Sequence, residues 1–225
     1  MILKLFNTPS EMFLECAKDF IADAKYVANH KKNYDVAMLG GTTAKDFFIN
    51  INKFDPQDIP MRIFFSDERF VPIDDENSNA NTALKFLNID KNNIFPIYQQ
   101  NLDAAQCALA YENLLKTALN NHQELPVFDS IYLGMGNDGH TASLFSGCEL
   151  KDGLIESFSS ANINFTRITF CPRLIKAAKR IVIIAHGEEK RKVVADIIAD
   201  NFASNSYPVK KIINDSFDKT TFFLA

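Results

Sequence analysis

Short, predominantly apolar runs alternate along the chain with segments of helical periodicity, and this alternation restricts the fold more than any other feature. The runs that predict buried strands are residues 35–39, 62–65, 130–133, 167–170 and 180–185. Strands without polar alternation are covered on both faces, which is typical of parallel sheets enclosed by helices. The sequence therefore predicts an α/β fold with three αβα layers, in which a mostly parallel, Rossmann-like sheet has helices on both faces.

The segments between these runs carry helix signals. Thr8 precedes Pro9, and Glu11 follows three residues after the threonine, which is typical of a helix start. Apolar periodicity predicts further helices over residues 43–51, 77–87, 102–119 and around 193–198. We also expect residues 141–144 to open a helix and residues 220–224 to close the sheet.

Composition limits the classes of function. The chain shows no linker or repeat, so we predict one domain over residues 1–225. Its net charge of −4 disfavours nucleic-acid binding, and no apolar run approaches the roughly 18 residues of a membrane span. The four cysteines are scattered, with no Cys-x-x-Cys spacing, which predicts reduced thiols in a cytoplasmic protein. Neither they nor the four histidines have metal-ligand spacing, so no metal site is expected.

The loop after the run 130–133 has the clearest chemical meaning. It contains Asp138 and His140, one residue apart, in the sequence Asp-Gly-His-Thr-Ala-Ser-Leu-Phe. Ligands of α/β proteins bind beyond the carboxyl ends of the strands, and a carboxylate can orient a histidine for acid–base work. The alternative at this point is a polar turn, in which Asp138 caps a helix and His140 is merely exposed.

Two further loops offer groups for an anion. Gly40-Gly41-Thr42-Thr43 links a strand to a helix, where glycines, free N–H groups and hydroxyls can surround a phosphate; a plain tight turn is the alternative. Asp67-Glu68-Arg69 follows the next strand. Arg69 can grip an oxyanion while the two acids orient it, and a solvated charged loop is the alternative.

Two more cations are candidates of weaker specificity. Arg167 begins a strand and suits a ligand contact as well as a surface position. Lys190 is expected in the first turn of a helix, where a cation opposes the helix dipole. An anionic ligand explains that placement, as does simple solvation.

Taken together and in order, these segments resemble the 6-phosphogluconolactonase family. The family pattern is Gly-Gly-Ser/Thr-Thr-Pro, Asp-Glu-Arg, Ser-Asn, Asp-Gly-His-Thr-Ala-Ser-Leu-Phe, Arg-x-Thr and Gly-x-x-Lys, and here Ser78-Asn79 supplies the third element. The resemblance covers nearly the whole chain. Ala44, Asn137 and Ser146 stand where the family usually has proline, which changes loop stiffness without removing a reactive group.

The resemblance implies a substrate and roles for the candidate residues. The substrate is a phosphorylated sugar lactone, 6-phospho-D-glucono-1,5-lactone, and no cofactor is implied. His140 is the implied general base, and Asp138 either orients its ring or satisfies backbone N–H groups of the loop. The implied substrate and phosphate contacts are Gly40, Gly41, Thr42, Thr43, Asp67, Arg69, Arg167 and Lys190. The expected assembly is a monomer or a weak homo-oligomer.

Two other functions are weighed against this one. Glucosamine-6-phosphate deaminase/isomerases share the Asp-Gly-His, but a catalytic glutamate follows it where this chain has Phe145, and they carry Asp-Glu-Tyr where it has Arg69. A sugar-phosphate sensor in a transcription regulator needs a DNA-binding module, and this chain carries no basic recognition helix. Both comparisons favour the lactonase.

Overall fold

The computed structural model describes residues 1–119, 125–148, 153–161 and 163–225. The strands in these ranges are β1 (Ile2–Leu5), β2 (Tyr34–Met38), β3 (Met61–Phe65), β4 (Asp67–Arg69), β5 (Ser130–Gly134), β6 (Ile155–Phe158), β7 (Arg167–Phe170), β8 (Arg180–Ala185) and β9 (Thr220–Leu224). The helices are α1 (Pro9–Ala28), α2 (Gly41–Ile51), α3 (Asn79–Phe86), α4 (Ala104–Leu119), α5 (Pro172–Ala177), α6 (Glu188–Ile198) and α7 (Pro208–Ile213). None of these helices is long and apolar enough to cross a membrane.

Six parallel strands form the central sheet, in the order β1-β9-β8-β5-β2-β3. Every residue of β2 and β9 is buried, so both faces of these strands are covered. Helices flank the sheet, and α1 begins as predicted: the Thr8 hydroxyl accepts a hydrogen bond from the Glu11 N–H. The predicted fold class, a mostly parallel α/β sheet enclosed by helices, is confirmed.

The sheet has a topological switch between β2 and β5, which are adjacent. From β2 the chain continues outward to β3, whereas from β5 it continues in the opposite direction to β8 and β9. The loops after β2 and β5 therefore diverge and leave a crevice at the carboxyl edge, the usual ligand position in such folds. This topology places the glycine-rich loop beside the histidine loop.

A second sheet corrects two expectations. The run 167–170 is a strand, but β7 lies in a three-stranded antiparallel sheet in the order β4-β7-β6. Asp67-Glu68-Arg69, expected as a loop, is the short strand β4 of this sheet. Pairing of β4 with β7 puts Arg69 directly opposite Arg167. An antiparallel partner was not visible in the sequence because the two strands are almost 100 residues apart.

Two local expectations also change. Residues 141–144 do not open a helix: Ala142 has a left-handed backbone with φ 48°, and Thr141 and Leu144 pair as an isolated bridge. The Thr141 hydroxyl instead donates to the Gly134 carbonyl oxygen at 2.8 Å, which closes a turn. Residues 220–224 form a strand inside the sheet, because the unpredicted β1 takes the edge beside it.

Candidate active site

A cleft of about 240 Å³ opens at the carboxyl edge of the central sheet, at the switch between β2 and β5. Nine of the ten predicted site residues line it: Gly40, Gly41, Thr42, Thr43, Asp67, Arg69, His140, Arg167 and Lys190. The tenth, Asp138, lies behind His140 and contacts its ring. The fold therefore brings all the predicted segments together.

His140 and Asp138 form a hydrogen-bonded pair. The Nδ1 atom of His140 lies 2.5 Å from Oδ1 of Asp138, and the His140 backbone N–H donates to the same oxygen at 3.2 Å. Burial alone raises the pKa of Asp138, but the hydrogen bonds and charge of His140 outweigh it and hold that pKa below its usual range. An ionised Asp138 accepts a hydrogen bond from Nδ1–H of His140, and in a neutral ring this places the lone pair on Nε2. No helix begins here, so the capping alternative is wrong.

The surroundings of His140 fix the plane of its ring. Phe145 packs against it with the ring centroids 4.6 Å apart, and Phe158 packs on the edge of Phe145. On another side is Gly136, where an added Cβ would lie 2.2 Å from the ring. The His140 side chain keeps 33% of its surface exposed, so it is held firmly and still reaches the cleft.

The glycine-rich loop forms the start of α2 and offers donors to an anion. Gly40 is the cap position and makes no side-chain cap bond, and Gly41 has φ 73°, which favours glycine. Thr42 and Thr43 line the same cleft. The Gly41 N–H itself donates to Asn79, and the start of a helix attracts negative charge through the helix dipole.

Lys190 approaches this loop from the first turn of α6, as predicted. It is half-buried, and this burial lowers the pKa of its ammonium group. Within the described ranges no carboxylate forms an ion pair with it. A half-buried cation that also opposes the dipole of its own helix is stabilised by an incoming anion.

Arg69 and Arg167 lie directly opposite each other across β4 and β7. Burial, and then the charge of Arg69, lower the pKa of Arg167. The Nε atom of Arg167 is buried with no hydrogen-bond partner among the described residues. Like charges in directly opposed positions destabilise a sheet, so an anion between the two guanidinium groups would relieve the repulsion.

The acids of the Asp67-Glu68-Arg69 segment do not orient the arginine, and that part of the prediction is wrong. The Arg69 guanidinium donates to the Asn77 carbonyl oxygen at 2.7 Å. The carboxylate of Asp67 accepts the Ser143 hydroxyl at 2.6 Å. Glu68 is fully buried and accepts the backbone N–H groups at the start of α3. Both acids therefore organise the floor of the cleft.

Glu68 predicts a pH dependence of stability. Burial raises its pKa from 4.5 to about 7, against the opposing effect of the N–H groups of Asn79, Ala80 and Arg69. The folded chain then binds more protons than the unfolded chain between these values, so the contribution of Glu68 to stability is lost as the pH rises from 4.5 through 7. Relative to Glu68→Gln, the free energy of unfolding of the parent chain should fall by about 2–3 kcal/mol between pH 5 and 8.

Urea unfolding of both proteins at several pH values checks this, because the other titrating groups cancel in the difference. A difference that stays flat, or rises with pH, would mean that Glu68 is ionised throughout.

Comparison with known proteins places the chain in a family. A sequence model of the glucosamine-6-phosphate isomerases/6-phosphogluconolactonase family matches residues 7–222. The chain belongs to this family. A 6-phosphogluconolactonase of Chlamydia pneumoniae is 31% identical, with 95% of this chain and 84% of the relative covered. One from Synechocystis is 32% identical over 79% of this chain and 76% of its own length.

Solved structures of the family share the fold. The 6-phosphogluconolactonase of Trypanosoma brucei superposes with a TM-score of 0.85 at 26% identity, covering 99% of this chain and 95% of that one. A monomeric glucosamine-6-phosphate deaminase superposes with a TM-score of 0.80 at 16% identity, a likeness of fold alone. The architecture is thus common to both branches, and the side chains of the cleft must distinguish them.

Three residues of the cleft had no role predicted from the sequence. Asn79 and Ser143 are buried below the cleft, and Gly136 gives His140 its space. The Ser-Asn element pointed to Asn79 without a role, and the role becomes visible only when α3 is packed against the glycine-rich loop. In the part of the chain that the structure describes, no three histidine, cysteine, aspartate or glutamate residues are grouped to hold a metal ion.

Proposed function

We propose that this chain is a cytoplasmic lactonase that hydrolyses 6-phospho-D-glucono-1,5-lactone to 6-phosphogluconate, with His140 as the general base. The observation that carries the proposal is the His140–Asp138 pair, whose ring faces a cleft lined by Arg69, Arg167 and Lys190. Such a cleft combines a proton acceptor with a binding site for a phosphorylated substrate. The names of the related 6-phosphogluconolactonases support the same reaction.

The chemical step needs one base and no covalent intermediate. Nε2 of His140 takes a proton from water as the water oxygen bonds to the lactone carbonyl carbon. The tetrahedral intermediate collapses, the bond from that carbon to the ring oxygen breaks, and the imidazolium returns the proton to this oxygen. The products are a carboxylic acid, which ionises, and a free hydroxyl. Imidazole can accept and return a proton near neutral pH, and such help contributes about 10²- to 10⁴-fold.

Asp138 acts through His140 in this scheme. Its carboxylate holds the proton on Nδ1, which presents the Nε2 lone pair to water, and it stabilises the imidazolium that forms. The same oxygen accepts the His140 backbone N–H, so the loop conformation and the ring orientation depend on one carboxylate.

A phosphate group on the substrate accounts for the three cations that line the cleft, Arg69, Arg167 and Lys190. A phosphate ester carries nearly two negative charges at neutral pH. Placed among the helix start at Gly41, the opposed arginines and Lys190, it would neutralise cations that the fold holds close together. Holding the phosphate also sets the carbonyl carbon against His140, which supplies part of the rate through positioning.

The deaminase alternative requires a catalytic glutamate after the Asp-Gly-His, and this chain lacks it. Phe145 occupies the position of the deaminase glutamate, and its ring lies 4.6 Å from that of His140. A hydrocarbon ring can neither donate nor accept a proton in catalysis, as a glutamate can.

The test is hydrolysis of freshly prepared 6-phosphogluconolactone, followed through 6-phosphogluconate dehydrogenase and NADPH formation. We expect turnover far above the spontaneous rate, and no ammonia release from glucosamine 6-phosphate. A rate equal to background would overturn the proposal, and release of ammonia would assign the chain to the deaminase branch.

Lys190→Ala should raise KM for the phosphorylated lactone by about 10-fold with a smaller change in kcat, because the lost contact is a charged hydrogen bond to the phosphate. Lys192→Ala is the matched control, since Lys192 is an exposed lysine of the same helix that does not line the cleft. Steady-state kinetics of the three proteins measure the effect. Equal KM values for both variants would remove Lys190 from the phosphate site.

A further inference from the structure

A line of buried and partly buried hydrogen bonds runs beneath the cleft and joins its loops. The Gly41 N–H donates to Oδ1 of Asn79 at 3.2 Å, and Nδ2 of Asn79 donates to the Asp67 carbonyl oxygen at 2.8 Å. Oδ2 of Asp67 accepts the Ser143 hydroxyl at 2.6 Å, and the Ser143 N–H donates to the Thr169 hydroxyl at 3.2 Å. The line therefore connects the loop after β2, strand β4, the histidine loop and strand β7.

Asn79 is the member of this line that touches the glycine-rich loop. Its side chain is buried, and the residue exposes only 2% of its surface. A Cβ built on Gly40 would lie 2.0 Å from Oδ1 of Asn79, so the amide occupies the space that a side chain at position 40 would need. Gly40 has φ −111°, a conformation open to any residue, and its glycine is required by this close approach.

The start of α3 does not need the Asn79 side chain. The Ser78 hydroxyl caps the helix by accepting the Asn81 N–H at 3.1 Å. The backbone N–H groups of Asn79 and Ala80 donate to the carboxylate of Glu68 at 2.7 and 2.9 Å. The donors at this helix end are thus satisfied by other groups, and the Asn79 amide is left to bind the glycine-rich loop and β4.

We propose that Asn79 is a positioning residue for the anion site: its amide fixes the Gly40-Gly41 backbone relative to the strand that carries Arg69. Without it, the Gly41 N–H and the Asp67 carbonyl oxygen lose their partners, and the loop is free to move away from the cations. The effect on turnover rests on the proposed function. The effect on binding of a phosphate group does not.

The test compares Asn79→Ala with Asn81→Ala, a matched control on the same helix. The Asn81 side chain is also buried, and its Nδ2 donates to two backbone carbonyl oxygens, those of Asp74 and Asp75. Both variants lose buried hydrogen bonds near the same helix end, so both should lose comparable stability in urea. Only Asn79→Ala should raise the Kd of inorganic phosphate and the KM of the phosphorylated lactone, by about 10-fold.

A double-mutant cycle provides a second readout. Gly40→Ala should weaken phosphate binding by displacing the amide, whereas adding it to Asn79→Ala should cost little more, because the obstructing amide is gone. Gly40→Ala also serves alone if Asn79→Ala does not fold.

Each result decides a separate point. Equal phosphate Kd values for Asn79→Ala and Asn81→Ala, or additive effects in the cycle, would overturn the role of Asn79. A parent chain that binds phosphate but does not hydrolyse the lactone would overturn the proposed function and leave the binding test of Asn79 intact.

Discussion

His140→Ala is expected to lower kcat for the phosphorylated lactone by about 10²- to 10⁴-fold, the usual contribution of a positioned general base. KM should change little, because the proposed phosphate contacts lie on other loops of the cleft. Stability should also change little, because the ring is one-third exposed and the contacts that it loses are those with Phe145 and with the exposed carboxylate of Asp138. The coupled NADPH assay, with urea unfolding alongside, measures both quantities.

His30→Ala is the control for this experiment. The His30 ring is exposed after the end of α1, where Nδ1 contacts the Tyr26 carbonyl oxygen at 2.7 Å, and it precedes β2 at the opposite edge of the sheet. It should retain full activity. Near-full turnover by His140→Ala would show that another group takes the proton from water.

The central sheet was predictable because most of its strands can be recognised from their own short stretches of sequence. The run 180–185 is apolar after its first residue, Arg180, and a short run of this composition is typical of a buried parallel strand. The glycine, histidine and arginine segments were found for a similar reason, since each places unusual residues directly after a strand or at a helix start. Their convergence follows from parallel topology, which puts the carboxyl ends of neighbouring strands at one edge.

The second sheet was not predictable in this way. β4 and β7 have three and four residues, and their pairing joins positions far apart in the sequence. The opposition of Arg69 and Arg167 is therefore a product of tertiary structure. The same holds for Ala142, whose left-handed backbone follows from the turn that the Thr141 hydroxyl closes on Gly134. Helical propensity does not predict this conformation.

An overall charge of −4 is compatible with the proposed anion site because the cations are concentrated around the cleft. Arg167 and Lys190 both have lowered pKa values, and burial is the leading cause for each. The fold thus keeps partly desolvated positive charge around the cleft, at a cost in free energy that a bound phosphate would offset. Stability that rises on addition of phosphate is the general consequence of such linkage.

Gly136→Ala tests how closely the protein must hold its base. A Cβ at this position would lie 2.2 Å from both Cε1 and Nδ1 of His140 and 2.8 Å from Oδ1 of Asp138. Real Cβ contacts are never so short, so the ring must move by about 1 Å or more and its bond to Asp138 must lengthen. Misplacement on this scale costs about 10²-fold. We expect kcat to fall by about this factor with KM nearly unchanged.

Gly134→Ala separates this effect from a general sensitivity of the loop to alanine. A Cβ at Gly134, the last residue of β5, would meet only Leu39 at 3.7 Å, an ordinary contact. Neither glycine has a left-handed backbone, so the two substitutions differ in the space available and not in backbone strain. Gly134→Ala should keep kcat within about 3-fold, and an equal loss in both variants would mean that His140 does not depend on the space left by Gly136. If Gly136→Ala alone is impaired, the absence of a Cβ at position 136 is part of the catalytic geometry. Only glycine at this position leaves room for the His140 ring in the orientation that Asp138 sets.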